Sequence, residues 1–232
     1  MKSSIRIPFF EMSVKNYIYG DKVLELALAA DRAVAKYDID VIFISPYTEI
    51  RRIAGNAHNL IVIAPYMDLI PLGRGMADIL PEALKDAGAR GVVINHSERP
   101  MSLTAIKKTI ERANELDMLS FACADTIAEA KAIAQLHPDI INPEPSELIG
   151  SGAASDMSYV LETVKVIKDI FPDILVEQAA GISTAEQVYD FIMAGSDGAG
   201  SCSGIMNSKD PLALVDEMIH AVKKAKDALK HK

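Results

Sequence analysis

The chain has 232 residues, half of them hydrophobic and 6% aromatic, with 24 Lys and Arg against 32 Asp and Glu for a formal charge of −8. That is enough apolar material for one large core, and the wrong charge for a nucleic-acid surface, which needs clustered cations against phosphate. The apolar runs are strand-length, short of the ~20 residues of a membrane helix, and Met1 to Arg6 lack a signal peptide's apolar stretch, so a cytoplasmic protein with no membrane partner is expected.

Short β-branched runs alternate with amphipathic stretches throughout the chain. The first strand is expected at Ile5–Phe10, then a helix over Lys22–Tyr37, where Val23, Leu26, Ala27, Ala30 and Val34 recur at three- and four-residue intervals. A strand at Val41–Ser45 leads to a helix at Thr48–Ala54, and one at Leu60–Ala64 to a helix at Ala77–Ala87. Gly91–Asn95 precedes a helix at Leu103–Leu116 that Ser102 caps, and Leu119–Cys123 precedes Ile127–Leu136. The last three pairs are Ile140–Asn142 with Tyr159–Phe171, Ile174–Glu177 with Ala185–Ala194, and Gly198–Gly200 with Leu212–Leu229. Ser183 and Asp210-Pro211 read as helix starts for the final two. Eight strand–helix units with no linker-like tract predict a single (β/α)8 barrel, one domain over residues 1–232. A doubly wound sheet uses the same alternation, but commonly carries a Gly-rich loop after its first strand. This chain has Glu11-Met12-Ser13-Val14-Lys15 there.

In a barrel, residues just past each strand share one mouth. Collected there are Lys15, then Asn95 and His96 at the end of the fourth strand, and Glu144 after the sixth. Small-residue turns follow the seventh and eighth strands, with Gly181 in one and Cys202-Ser203-Gly204 in the other. A cation, an imidazole and a carboxylate beside turns that let a ligand approach backbone N–H groups suit proton transfer on a small phosphorylated substrate. Taken singly, each has a plainer reading: Lys15 as a surface charge, His96 as a satisfied core or cap histidine, Glu144 as a loop acid. Cys123 and Cys202 make no disulfide framework, and the five histidines show no zinc-ligand spacing.

The combined pattern resembles the triosephosphate isomerase family in its short, archaeal-like form. Ser13-Val14-Lys15 matches the family's Asn-x-Lys segment, and Asn95-His96-Ser97-Glu98-Arg99 its histidine segment. Glu144, Pro145, Ile149, Gly150 and Gly152 match the glutamate and lid segment, with Ser151 in place of threonine. Leu80-Pro81-Glu82-Ala83, Gly181-Ile182-Ser183 and Lys209-Asp210-Pro211 extend the likeness over nearly the whole chain. The resemblance implies that Glu144 is the base, that His96 polarises the carbonyl, and that Lys15 offsets the developing charge. It further implies that Ser13 and Asn95 contact substrate, that Gly150, Gly181, Cys202 and Ser203 hold the phosphate, and that Glu98 supports the cation. No metal or organic cofactor is implied, the substrate is a phosphorylated sugar of glycolysis, and a homodimer or homotetramer is expected.

Departures cluster on the substrate side. Ser13 stands where the family has asparagine, Met76-Ala77 where it has Thr-Gly, and Gln178-Ala179 where it has Cys-Gly. A shorter side chain at Ser13 leaves room for a larger substrate or a water. Two alternatives therefore stand beside triose phosphate isomerisation: a paralogous isomerase of another short ketose phosphate, such as a tetrulose phosphate, and a non-catalytic sugar-phosphate-binding barrel.

Overall fold

Along the first strand Phe9, Glu11 and Ser13 face one way and Phe10, Met12 and Val14 the other. All six are buried, so the strand is covered on both faces. In the computed structural model, which describes residues 4–151 and 154–230, this strand is β1 (Phe9–Ser13). Seven more follow: β2 (Val41–Ile44), β3 (Ile61–Ile63), β4 (Gly91–Ile94), β5 (Leu119–Ala124), β6 (Ile140–Pro143), β7 (Leu175–Gln178) and β8 (Gly198–Ser201). They pair in parallel in the order β3-β2-β1-β8-β7-β6-β5-β4. The ends meet through Ala64, whose N–H donates to the Gly91 carbonyl at 2.9 Å and whose carbonyl accepts from Val93 N–H at 2.9 Å. The result is a nearly closed (β/α)8 barrel.

The principal helices are α1 (Asp21–Tyr37), α2 (Ile50–Ala54), α3 (Pro81–Asp86), α4 (Leu103–Glu115), α5 (Ile127–Ala134), α6 (Met157–Ile170), α7 (Ala185–Met193), α8 (Ser203–Met206) and α9 (Pro211–Leu229). Their apolar stripes pack on the outer faces of the strands; α1 buries Val23, Leu26, Ala27, Ala30, Ala33 and Val34. A second, smaller apolar cluster includes Phe9, Ile42, Ile63, Val93, Phe121 and Ile140 and fills the barrel itself. Among the described residues no helix is long and apolar enough to cross a membrane.

Three sequence expectations shift. The first strand lies at Phe9–Ser13 rather than Ile5–Phe10. Pro8 has no N–H for a ladder, Arg6 is tied to Asp40 by two 2.8 Å hydrogen bonds, and pairing begins with Phe9 N–H to the Asp197 carbonyl at 3.1 Å. The third helix begins at Pro81, not Ala77, because a residue before proline avoids the helical region; Leu80 has φ −69° and ψ 125°. The cap of α7 is Thr184 rather than Ser183, in a reciprocal capping box with Gln187, whereas Ser102 and Asp210 cap as expected.

Candidate active site

Parallel strands deliver their C-terminal ends to one side of the barrel, and a cavity of about 400 Å³ opens there. Ser13 lines it from the end of β1 and Lys15 from the turn that follows, and His96 and Glu98 from the turn after β4. Glu144 and Gly150 follow β6, Gly181 follows β7, and Cys202 and Ser203 follow β8. Asn95 does not line the cavity. Its amide donates to the Cys123 carbonyl at 3.1 Å and to Glu129 Oε1 at 2.9 Å, and its Oδ1 accepts from Met101 N–H at 2.8 Å, so its side chain is committed to the scaffold. Gly152 of the lid segment lies outside the described residues.

Two non-glycine residues at this mouth take left-handed backbone: Lys15 with φ 40° and Asn95 with φ 60°. At Lys15 the turn is held by Tyr17 N–H donating to the Val14 carbonyl at 3.0 Å and by Lys15 N–H donating to Ser13 Oγ at 3.2 Å. This bend aims the ammonium at Glu98, 2.8 Å away. Burial works against the Lys15 charge, but the hydrogen bond to Glu98 and the surrounding negative groups more than offset it, and its pKa is raised. Glu98 is held low by the same contact.

His96 Nδ1 accepts the Glu98 backbone N–H at 3.1 Å. That nitrogen must therefore offer a lone pair, which puts the proton of the neutral ring on Nε2. Burial, and then the Lys15 charge, push the imidazole pKa down, so the neutral tautomer prevails. Nε2 lies 3.8 Å from Glu144 Oε2, too far for a hydrogen bond and ideal for neither an ion pair nor a direct contact. Burial raises Glu144, partly opposed by Lys15. The Cys202 thiol is pushed up to about 12, chiefly by burial, and Cys123 is also driven well up, so neither is a thiolate nucleophile. The arrangement can thus remove a proton from carbon with one group and donate to a neighbouring oxygen with another, beside a fixed positive charge.

The interior below the mouth holds what the sequence reading missed. Glu11 on β1 and Asn142 on β6 line the cavity, and Glu177 on β7 lies buried behind them. The period-2 spacing Glu11–Ser13 was the available signal; with the strand ended at Phe10, Glu11 fell in a loop. Burial first, then neighbouring carboxylate charge, pushes Glu11 and Glu177 well above the ordinary range near 4.3. A carboxyl raised on folding stays protonated in the native state while the unfolded chain ionises. Stability therefore falls as pH rises above about 4.3 and continues to fall through the native pKa. Replacing Glu177 with leucine removes one such group and a buried carboxyl whose two oxygens have no partner. The variant is expected to gain on the parent as pH climbs, in urea unfolding at about pH 5, 7 and 9. Parallel curves would show that Glu177 is ionised in the native state.

A family model described as triosephosphate isomerase matches residues 8–218. The chain is 33% identical to a triosephosphate isomerase of Methanothermus fervidus over 217 residues, covering 91% of this chain and 97% of the relative. It is 36% identical to that of Methanobacterium bryantii over 215 residues, covering 90% and 95%, and 35% identical to that of Sulfurisphaera tokodaii over 215 residues, covering 91% and 93%.

Proposed function

We propose that this chain, which belongs to the triosephosphate isomerase family, interconverts dihydroxyacetone phosphate and glyceraldehyde 3-phosphate by enediolate proton transfer. The observation that carries this reading is a partly buried carboxylate, Glu144, beside a neutral His96 that presents Nε2–H to the same cavity. In this reading Glu144 takes a proton from the carbon next to the carbonyl. His96 donates to the carbonyl oxygen and then relays protons between the two oxygens, and Lys15 offsets the negative charge that develops on them. Ser13 offers a hydroxyl near those oxygens, and Glu98 holds the ammonium in place. The turns at Gly150, Gly181 and Cys202–Ser203 receive the phosphate through backbone N–H groups, and the lid segment that follows Glu144 would close over it by the family likeness.

Steady-state assays with the two triose phosphates test the reaction. Turnover in both directions with kcat of roughly 1–10³ s⁻¹ or faster is expected. A purified, folded protein that converts neither would overturn the assignment. The reading includes a homodimer or homotetramer, supported by a loop that leaves Leu69, Leu72 and Met76 exposed. Sedimentation equilibrium giving a monomer mass would refute it. The free thiols Cys123 and Cys202 suit a reducing, cytoplasmic setting.

A further inference from the structure

The proton-transfer reading gives no task to the two acids inside the barrel. Glu11 on β1 is 4% exposed, and Glu177 on β7 is fully buried. Strand β8 runs between the two. Its Gly200 stands opposite Glu11 in the β1–β8 register, and a methyl group added there would overlap both Glu11 Oε2 and Glu177 Oε1. The two carboxyl groups therefore border one methyl-sized space, which glycine leaves open. Glu11 Oε1 and both oxygens of Glu177 are buried with no hydrogen-bond partner.

The surrounding elements do not supply what an ionised pair would need. β2, β3, β4 and β5 contribute Ile42, Ile63, Val93 and Phe121 to the same interior. The charged groups that act on the pair are Glu144 after β6, a like charge, and, for Glu11, the Lys15 ammonium. Cys123 on β5 and Cys202 after β8 are the other titratable neighbours, and burial keeps both as neutral thiols. Two carboxylates bordering one space without a donor cannot both stay charged. A protonated carboxyl is itself a donor, so the hydrogen bond open to these groups is one with each other, and it exists only while one of them keeps a proton. Burial first, and then neighbouring carboxylate charge, hold both acids well above the ordinary carboxylate range, the direction that sharing requires.

We infer that Glu11 and Glu177 share a proton in the space beside Gly200, and that loss of this proton at alkaline pH weakens binding of the phosphorylated substrate in the cavity. The effect on substrate rests on the isomerase reading; the shared proton does not. Glu11 lines the cavity, so a negative charge gained by the pair lies under a site that takes an anion. Burial leaves that charge little screened, and it opposes the phosphate before any bond changes. Deprotonation releases the proton to solvent and needs no other reactant. The chemical step feels the new charge less, because proton abstraction moves one negative charge from Glu144 to the substrate oxygens and leaves the total unchanged. The alkaline loss therefore falls on KM more than on kcat. Neither acid touches the reacting atoms; the pair sets the charge of the cavity floor.

Two measurements test the pair. Infrared spectra of the folded protein, followed from about pH 6 to about pH 10, read the C=O stretch that a neutral carboxyl shows and a carboxylate lacks. In Glu144→Gln, where that residue's own carboxyl is absent, the band is expected to persist at about pH 7 and to fade on the alkaline side. Adding Glu11→Gln and Glu177→Gln together, which keeps both volumes, is expected to abolish it. Kinetics with dihydroxyacetone phosphate over the same range are expected to show KM in the parent rising about tenfold as the band fades, with kcat changed less than about threefold. In the folded Glu11→Gln/Glu177→Gln protein KM is expected to stay level. No neutral carboxyl at about pH 7 in folded Glu144→Gln would overturn the shared proton. A KM rise that is missing from the parent, or persists unchanged in the double variant, would overturn its effect on binding and leave the isomerase reading standing. A parent that converts neither triose phosphate removes the isomerase reading and with it the effect on binding, while the infrared band still decides whether the pair holds its proton.

Discussion

Glu144→Gln is expected to lower kcat for triose phosphate by about 10²–10⁴-fold, the range that a positioned general base supplies, with KM changed far less. The substitution keeps the side-chain volume and a hydrogen-bonding end but removes the carboxylate that lines the cavity 3.8 Å from neutral His96. It also removes a carboxyl that burial holds above its ordinary pKa. A more basic carboxylate is a better match for a carbon acid, and the raised pKa moves the acid limb of the kcat/KM profile above the usual glutamate range. Stopped-time assays with each triose phosphate measure the loss, and thermal unfolding checks that the variant is folded. A folded Glu144→Gln protein retaining more than about a tenth of parental kcat would show that another group takes the proton.

Lys15→Met is expected to lower kcat/KM by about 10²–10³-fold, the loss usual when one preorganised stabiliser of developing negative charge is removed. Methionine keeps the apolar stem and places no greater demand on the left-handed backbone at this position, where φ is 40°. The abandoned partner is Glu98, whose side chain is 64% exposed, so water takes over its hydration and the fold is little affected. The substitution carries a second signature. The Lys15 charge lowers both His96 and Glu144, so its removal raises both, and the acid limb of the pH–rate profile is expected to move up. A profile that keeps its position while kcat/KM falls would place Lys15 in substrate binding alone, away from the proton-transfer pair.

The alternation of strands and helices was legible because burial on both strand faces and on one helix stripe leaves a local periodicity. Val23, Leu26, Ala27, Ala30 and Val34 are all buried where the three- and four-residue spacing put them. The strand-end positions of Lys15, His96 and Glu144 were legible too, because parallel strands bring their C-terminal ends to one mouth. Boundaries were less so. An acid such as Glu11 is rarely buried, and a strand expected at Ile5–Phe10 leaves it in the following loop, whereas the barrel buries it. For Asn95, position after a strand does not say which way a side chain turns: its amide nitrogen donates to Cys123 and Glu129, and its oxygen accepts from Met101.

What the sequence determined by itself was the eight-unit barrel and the residues at its mouth, encoded by spacing within about one strand or one helical turn, with the family likeness resting on its motifs. What only the tertiary structure decided depends on residues far apart in the chain meeting across the barrel axis. The Glu98 backbone selects the His96 tautomer, Lys15 comes from 83 residues away to pair with Glu98, and Gly200 admits Glu11 and Glu177 from strands at opposite ends of the chain. The charge states follow from burial and from those neighbours, neither of which a linear pattern contains.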